Sequence, residues 1–136
     1  MSGITDTLFI AGAGMRAQSD RLRVVAENLA NVDSTGLTPG STPYQRKTIT
    51  FKNVLDQELG ISKIATASYG TDKTPFKKKY EPGHPAADAQ GYVLYPNVES
   101  VVELVDMHEA QRDYEADLNV IDVSKSMISQ ALGLLK

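Results

Sequence analysis

The stretch GITDTLFIAGAGMRAQSDRLRVVAENLANVDSTG, residues 3–36, decides the fold. Ile4, Leu8, Ala11, Met15, Leu22, Val25, Leu29 and Val32 recur at alternating spacings of four and three, broken once where Gln18 takes the apolar position. An apolar residue about every 3.5 positions is the stripe of a helix that packs lengthwise against another helix. Arg16/Asp20 and Arg23/Glu27 stand four apart and add charge pairs beside it. The helix is expected to end near residues 34–36, with Gly36 in the left-handed capping conformation and Pro39 blocking resumption. Gly12 and Gly14 each cost about 1 kcal/mol in a helix relative to alanine, so they point to a frayed start or to a close backbone approach.

The far end repeats the rhythm. Leu104, Met107, Ala110, Tyr114, Ile121, Ser124, Ile128, Ala131 and Leu135 form a second stripe, interrupted by Asp117. A carboxylate in such a seam is costly unless paired, so Asp117 is expected to meet a cation or to face the lumen of an assembly. Asn97, directly after Pro96, is the expected N-cap. Between the two stripes lie all six prolines and seven of the nine aromatics. Short stretches of strand character occur at residues 44–51, 64–69, 76–80 and 92–95, punctuated by Gly60, Gly70, Pro82-Gly83 and Gly91. The expected fold is α+β: two long coiled-coil-type terminal helices, residues 1–36 and 97–136, flanking a small β-rich insert with an extended linker, residues 37–96. An insert of that size has a marginal core on its own.

Composition narrows the function classes. The 136 residues carry a formal charge of −3, which gives no global basic field for nucleic acid. No run of about 18 apolar residues occurs and the N-terminus has no signal-peptide pattern, so neither membrane insertion nor classical secretion is expected. With no cysteine there are no disulfides or thiolate metal sites. Charge is unevenly spread: residues 40–80 hold eight Lys/Arg against three Asp/Glu, whereas residues 81–136 hold three against ten. A basic insert and an acidic C-terminal arm could steer subunits together.

The chemical motifs fail in context. Gly12-Ala13-Gly14-Met15-Arg16-Ala17 has a dinucleotide-fingerprint form, but it lies inside a helix rather than after a strand. His108-Glu109 opens like a zinc-protease helix, yet Arg112 stands where the second ligand belongs. His84 and Asp88 in the 81–91 turn, beside the lysine edge 77–79, would form the only conceivable catalytic pocket, and a turn histidine with solvated lysines is the simpler reading. No catalytic residue, metal site or cofactor is expected. Two long stripes pairing only with each other would leave Phe9, Leu118, Met127, Leu132 and Leu134 in water, so the architecture points to assembly.

Three segments resemble a known family. Ala17-Gln18, Arg21-Leu22 and Ala26-Glu27-Asn28-Leu29-Ala30-Asn31-Val32-Asp33-Ser34-Thr35 resemble the signature of bacterial flagellar rod and hook proteins. Glu81-Pro82-Gly83-His84-Pro85-Ala86-Ala87-Asp88-Ala89-Gln90-Gly91-Tyr92-Val93, followed by Pro96-Asn97-Val98, is similar to a stretch of the proximal-rod branch. Glu109-Ala110, Arg112, Tyr114-Glu115-Ala116 and Lys125-Ser126-Met127 resemble the family's C-terminal helix. The resemblance implies a structural subunit of the flagellar basal body, exported by the flagellar type III apparatus without a cleaved signal. It would stack helically, transmit torque and enclose the export channel. Implied partners are copies of itself, other rod proteins, and the membrane-ring and rod-base adaptor proteins. Another rod subunit, or a non-catalytic coiled-coil module, stays open as the alternative.

The implied assembly seam is Leu8, Met15, Leu22, Val25, Asn28, Leu29, Asn31 and Val32 on the first helix. On the second it is Met107, Ala110, Arg112, Tyr114, Ile121, Ile128 and Leu135. The insert contributes the motif residues Pro82, Gly83, His84, Pro85, Asp88, Gly91, Tyr92, Pro96 and Asn97. Asn28 and Asn31 are expected to bridge neighbouring subunits through their amides.

Overall fold

The computed structural model describes residues 2–57 and 60–135; the outer limits 1 and 136 of the expected segments, and 58–59 in the insert, lie outside the described residues. The elements are α1 (Ser2–Ala30), β1 (Lys47–Asp56), β2 (Ile61–Thr71), β3 (Lys77–Tyr80), β4 (Tyr92–Tyr95) and α2 (Ser100–Leu134). Two helices thus flank a small β region, and the chain is α+β. The strands form two separate two-stranded sheets, β1-β2 and β3-β4.

Contacts divide the chain into two units. One comprises Met1–Leu22, Thr50–Ser68 and His108–Lys136; the other comprises Arg23–Ile49 and Tyr69–Met107. In the first, small side chains let the helices close: Ala11, Ala13, Ala17 and Ala110 are all buried. The Asp117 carboxylate rests against the α1 backbone at Gly14, where an added Cβ would collide with it. Gly14 is therefore a close approach, while Gly12 has open space and needs another reason. Arg21 Nη2 pairs with Glu109 Oε2 at 3.5 Å, so contacts advance along α1 as they retreat along α2, and the helices run antiparallel here.

Along α2, Glu103, Met107, Ala110, Tyr114, Asp117, Ile121, Ser124, Ile128 and Ala131 are buried or half-buried in an unbroken four-three series, with Asp106 and Asp113 half-buried beside it. Leu104, expected to open this stripe, is exposed, and Glu103 takes its place. Leu135 is 82% exposed beyond the end of the helix.

The second unit has its core at Val93, Val98 and Pro96, all fully buried. Strands β3 and β4 pair antiparallel, Lys77 opposite Tyr95 through Tyr80 opposite Tyr92. The Tyr80 and Tyr92 rings meet edge to face, centroids 5.4 Å apart. Gly91 closes this hairpin at φ +88°, and an added Cβ would lie 2.8 Å from the Tyr80 ring. Gly91→Ala combines about 1–2 kcal/mol of left-handed backbone cost with that clash. The variant should melt several degrees lower, and an unchanged Tm would contradict the geometry.

Three local expectations are corrected. Helix α1 stops at Ala30 rather than near 34–36, because Asn31 turns its side chain back to donate to Glu27 O at 2.8 Å while Ser34 bonds to Asn31. Gly36 is not left-handed; its missing Cβ instead makes room for the Ser41 side chain. Asn97 is not an N-cap, since α2 begins at Ser100 with Glu103 N bonded to Glu99 O, and the Asn97 amide reaches across the fold instead. The first sheet is also longer than residues 44–51 and 64–69 suggested. Lys52, Asn53, Val54 and Leu55 of β1 are exposed, so backbone pairing rather than an alternating core face holds this part.

Candidate assembly site

The sequence from 44 to 47 carries the chain past α1, with Tyr44 and Lys47 bonded to α1 while the Gln45 and Arg46 side chains turn to Asp72 and Glu103. Asn28, buried on α1, treats Lys47 as a neighbouring strand would: Lys47 N donates to Asn28 Oδ1 at 2.9 Å, and Asn28 Nδ2 donates to Lys47 O at 3.0 Å. Tyr44 Oη donates to the same Oδ1 at 2.7 Å. Asn28 Nδ2 also reaches Glu103 Oε2 at 3.4 Å. The Glu103 side chain is 0% exposed, and its other oxygen accepts from Arg46 Nε. Arg46 further approaches Asp72 Oδ2 at 3.5 Å and Asp106 Oδ2 at 3.7 Å.

Electrostatics follow from this geometry. Burial alone would pull the Arg46 guanidinium down, but the bond to Glu103 and the charges of Glu103, Asp72 and Asp106 hold it above its ordinary value. Burial pushes the Tyr44 phenol up. The Asp72 carboxyl is held low, first by the Thr74 amide, which donates to Oδ1 at 2.8 Å. Asn97 ties these connecting segments together: it accepts from Arg46 N at 2.8 Å and donates to Asp72 O at 3.1 Å and Thr74 O at 3.0 Å. Asn28, Tyr44, Arg46, Asn97 and Glu103 thus form one satisfied network, the condition under which buried polar groups specify a unique fold. Its outer edge is the exposed Lys47–Glu27 pair at 2.8 Å.

The 81–91 turn is equally occupied with itself. Asp88 Oδ1 accepts from the amides of Gln90 and Tyr92, both at 2.9 Å, and these bonds hold its carboxyl low. His84 Nδ1 accepts from Ala86 N at 3.0 Å, which makes the ring a brace of the turn. Tyr95 Oη donates to Glu81 Oε1 at 2.8 Å. On β3, Lys77 pairs with Glu99 at 2.8 Å and Lys79 lies 4.3 Å above the Tyr95 ring. His84, Asp88 and the lysine edge therefore act within the hairpin and do not converge on a cleft as a nucleophile and base would. Among the described residues no group of His, Asp and Glu is arranged to hold a metal, and no helix is long and apolar enough to cross a membrane.

The seam residues named from the sequence are distributed as follows. Val25, Asn28 and Ala110 are buried; Leu8, Met15, Leu22, Leu29, Asn31, Val32, Met107, Tyr114, Ile121 and Ile128 are half-buried; Arg112 and Leu135 are exposed. In the insert, Gly91, Pro96 and Asn97 are buried and His84 half-buried, while Pro82, Gly83, Pro85, Asp88 and Tyr92 are exposed. The Asn28 amide, expected to reach a neighbouring subunit, is fully engaged within its own chain. Sequence reasoning missed Tyr44, Glu103 and the role of Arg46. A glutamate at a seam spacing was the one available signal.

A second stripe on α2 is left uncovered. Val120, Val123, Met127 and Leu134 follow the same helical rhythm on another side of the helix and are 40%, 59%, 50% and 87% exposed. In the other unit Val101, Val102 and Val105 are likewise exposed. Contiguous exposed apolar surface of this kind marks an interaction site.

Comparison with known proteins agrees in kind. Residues 8–37 match the family described as Flagella basal body rod protein, and residues 89–134 match Flagellar basal body rod FlgEFG protein C-terminal. The chain is 46% identical to the flagellar basal-body rod protein FlgC of Agrobacterium fabrum, over 93% of this chain and 91% of that one. It is 40% identical to FlgC of Borreliella burgdorferi, over 98% of this chain and 99% of that one. With FlgC of Salmonella typhimurium it shares 43% identity over 92% of each chain.

Proposed function

The chain belongs to the FlgC family of flagellar basal-body rod proteins, and from that premise we propose that it polymerises helically into the proximal rod through its terminal helices. It is a structural, non-enzymatic subunit of the basal-body rod. In the proposed assembly, segments 1–36 and 97–136 are the assembly arms, of coiled-coil type, and 37–96 is the insert between them. The rod so formed transmits torque and encloses the export channel. The subunit reaches it through the flagellar type III apparatus without a cleaved signal, and meets copies of itself, other rod proteins, and the membrane-ring and rod-base adaptor proteins.

The observation that carries this reading is the uncovered stripe Val120, Val123, Met127 and Leu134. An apolar helical face in water is unfavourable at about 25 cal/mol per Å², and stacking against neighbouring helices removes it. The satisfied network around Asn28 supports the same reading, because a rigid insert can pass torque without yielding. Deleting the gene should abolish swimming and leave cells without complete rods and hooks, and re-expression of this chain should restore both. Complete hook–basal bodies in the deletion strain would refute the proposal.

A further inference from the structure

In the unit of residues 23–49 and 69–107, the first turns of α2 invert the usual pattern: Glu103 is buried while Val101, Val102 and Val105 stand in water. The bond from Arg46 to Glu103 fixes that orientation, so the valines cannot turn inward. Val102 lines a hollow of about 430 Å³ together with Thr74, Pro75, Arg46, Lys77 and Asn97. The charges of this wall are already matched, Arg46 against Asp72 at 3.5 Å and Lys77 against Glu99 at 2.8 Å. Both ends of the Asn97 amide are bonded within the chain. A small polar ligand needs convergent free polar groups to fix it, and these are taken, so the hollow suits an uncharged, apolar occupant.

The same unit carries a projection of matching chemistry. Residues 34–45 contain no charge, and Leu37 in this loop is 87% exposed. Tyr44 N donates to Ser34 O at 2.9 Å and closes the base of the loop. Across its apex Ser41 N donates to Thr38 O at 3.1 Å, and Thr38 N donates to Ser41 Oγ at 3.2 Å. The missing Cβ of Gly36 makes the room that Ser41 uses, and Gly40 turns the chain at φ +78°. A leucine held in water on a braced loop has already lost the freedom that binding would otherwise take from it.

We propose that the Leu37 apex of one copy seats in the Pro75–Val102 hollow of a second copy of this chain. Leu37 does not fill the hollow of its own chain, so one unit carries a projection and a recess that are both unsatisfied. Copies joined in this way are related head to tail, with an apex free at one end and a hollow at the other. Such a contact extends into an open helix unless its rotation closes a ring. It rests on the assembly reading above and adds an interface between inserts to the one made by the terminal helices.

The test places Leu37→Cys and Val102→Cys together in this otherwise cysteine-free chain and treats purified hook–basal bodies with a short bis-maleimide. A ladder of linked subunits is expected from the basal bodies, and monomer alone from the dilute free chain. Complete basal bodies that contain the chain and yield no ladder would overturn the contact while leaving the rod assignment intact. Linked dimers from either single variant would also overturn it, because apex would then meet apex or hollow meet hollow. A second pair of variants covers a double variant that does not assemble. Leu37→Asp should melt with the parent as a free chain and lose swimming, whereas Leu37→Met should keep it. Normal swimming of Leu37→Asp would refute the docking.

Discussion

Arg46→Met should destabilise the chain by about 3–5 kcal/mol, because it leaves the Glu103 carboxylate buried without its counter-charge. Methionine keeps the length and the apolar stem, so the loss isolates the charge and its hydrogen bonds. The Asn28 amide at 3.4 Å is a weak substitute, already shared with Lys47 O. At this chain length the deficit corresponds to a fall in Tm of about 10 °C or more. Adding Glu103→Leu should recover most of it, since a buried ion pair replaced as a whole by apolar groups is close to neutral, whereas half of one is not. Arg46→Lys should fall between, as an ammonium cannot present a planar fork to Glu103 and Asp72 together. An Arg46→Met protein melting within a degree or two of the parent would remove the network from the account.

The second large effect concerns assembly rather than folding. Val123→Asp and Met127→Asp alter side chains that are 59% and 50% exposed, so the free chain should change by no more than about 0.5 kcal/mol. In the proposed rod the same carboxylates would be enclosed by neighbouring helices, at a cost of several kcal/mol per buried charge, repeated at every copy. Swimming should be lost although the subunit is made and folded. Normal motility of both variants would mean that this stripe stays in water.

The sequence made the helices legible because their stripes keep the four-three period across 29 and 35 residues, long enough for periodicity to outweigh single exceptions. The β3-β4 hairpin was legible from alternation and from Gly91. Strands β1 and β2 extend further than expected because Lys52, Asn53 and Leu55 are exposed and leave no buried face to mark the strand in the sequence. Glu103 was hidden by its own chemistry: a glutamate one residue before a leucine reads as the solvent side until its partner, 57 residues earlier, is known. Asn97 shows the same limit, since local capping preference was the only visible use for an amide whose bonds span 23 to 51 residues. Asn28 was legible as important through the family signature, while its strand-like pairing with Lys47 required the fold.

The most direct measurement is the labelling rate of Met127→Cys by a soluble maleimide, in the free subunit and in hook–basal bodies purified from a swimming strain. The chain has no other cysteine, so label recovered on this subunit reports position 127 alone. Rapid labelling of the free subunit with strong protection in the basal body is the result expected if the uncovered α2 stripe is the assembly face. Equal rates in the two would contradict it.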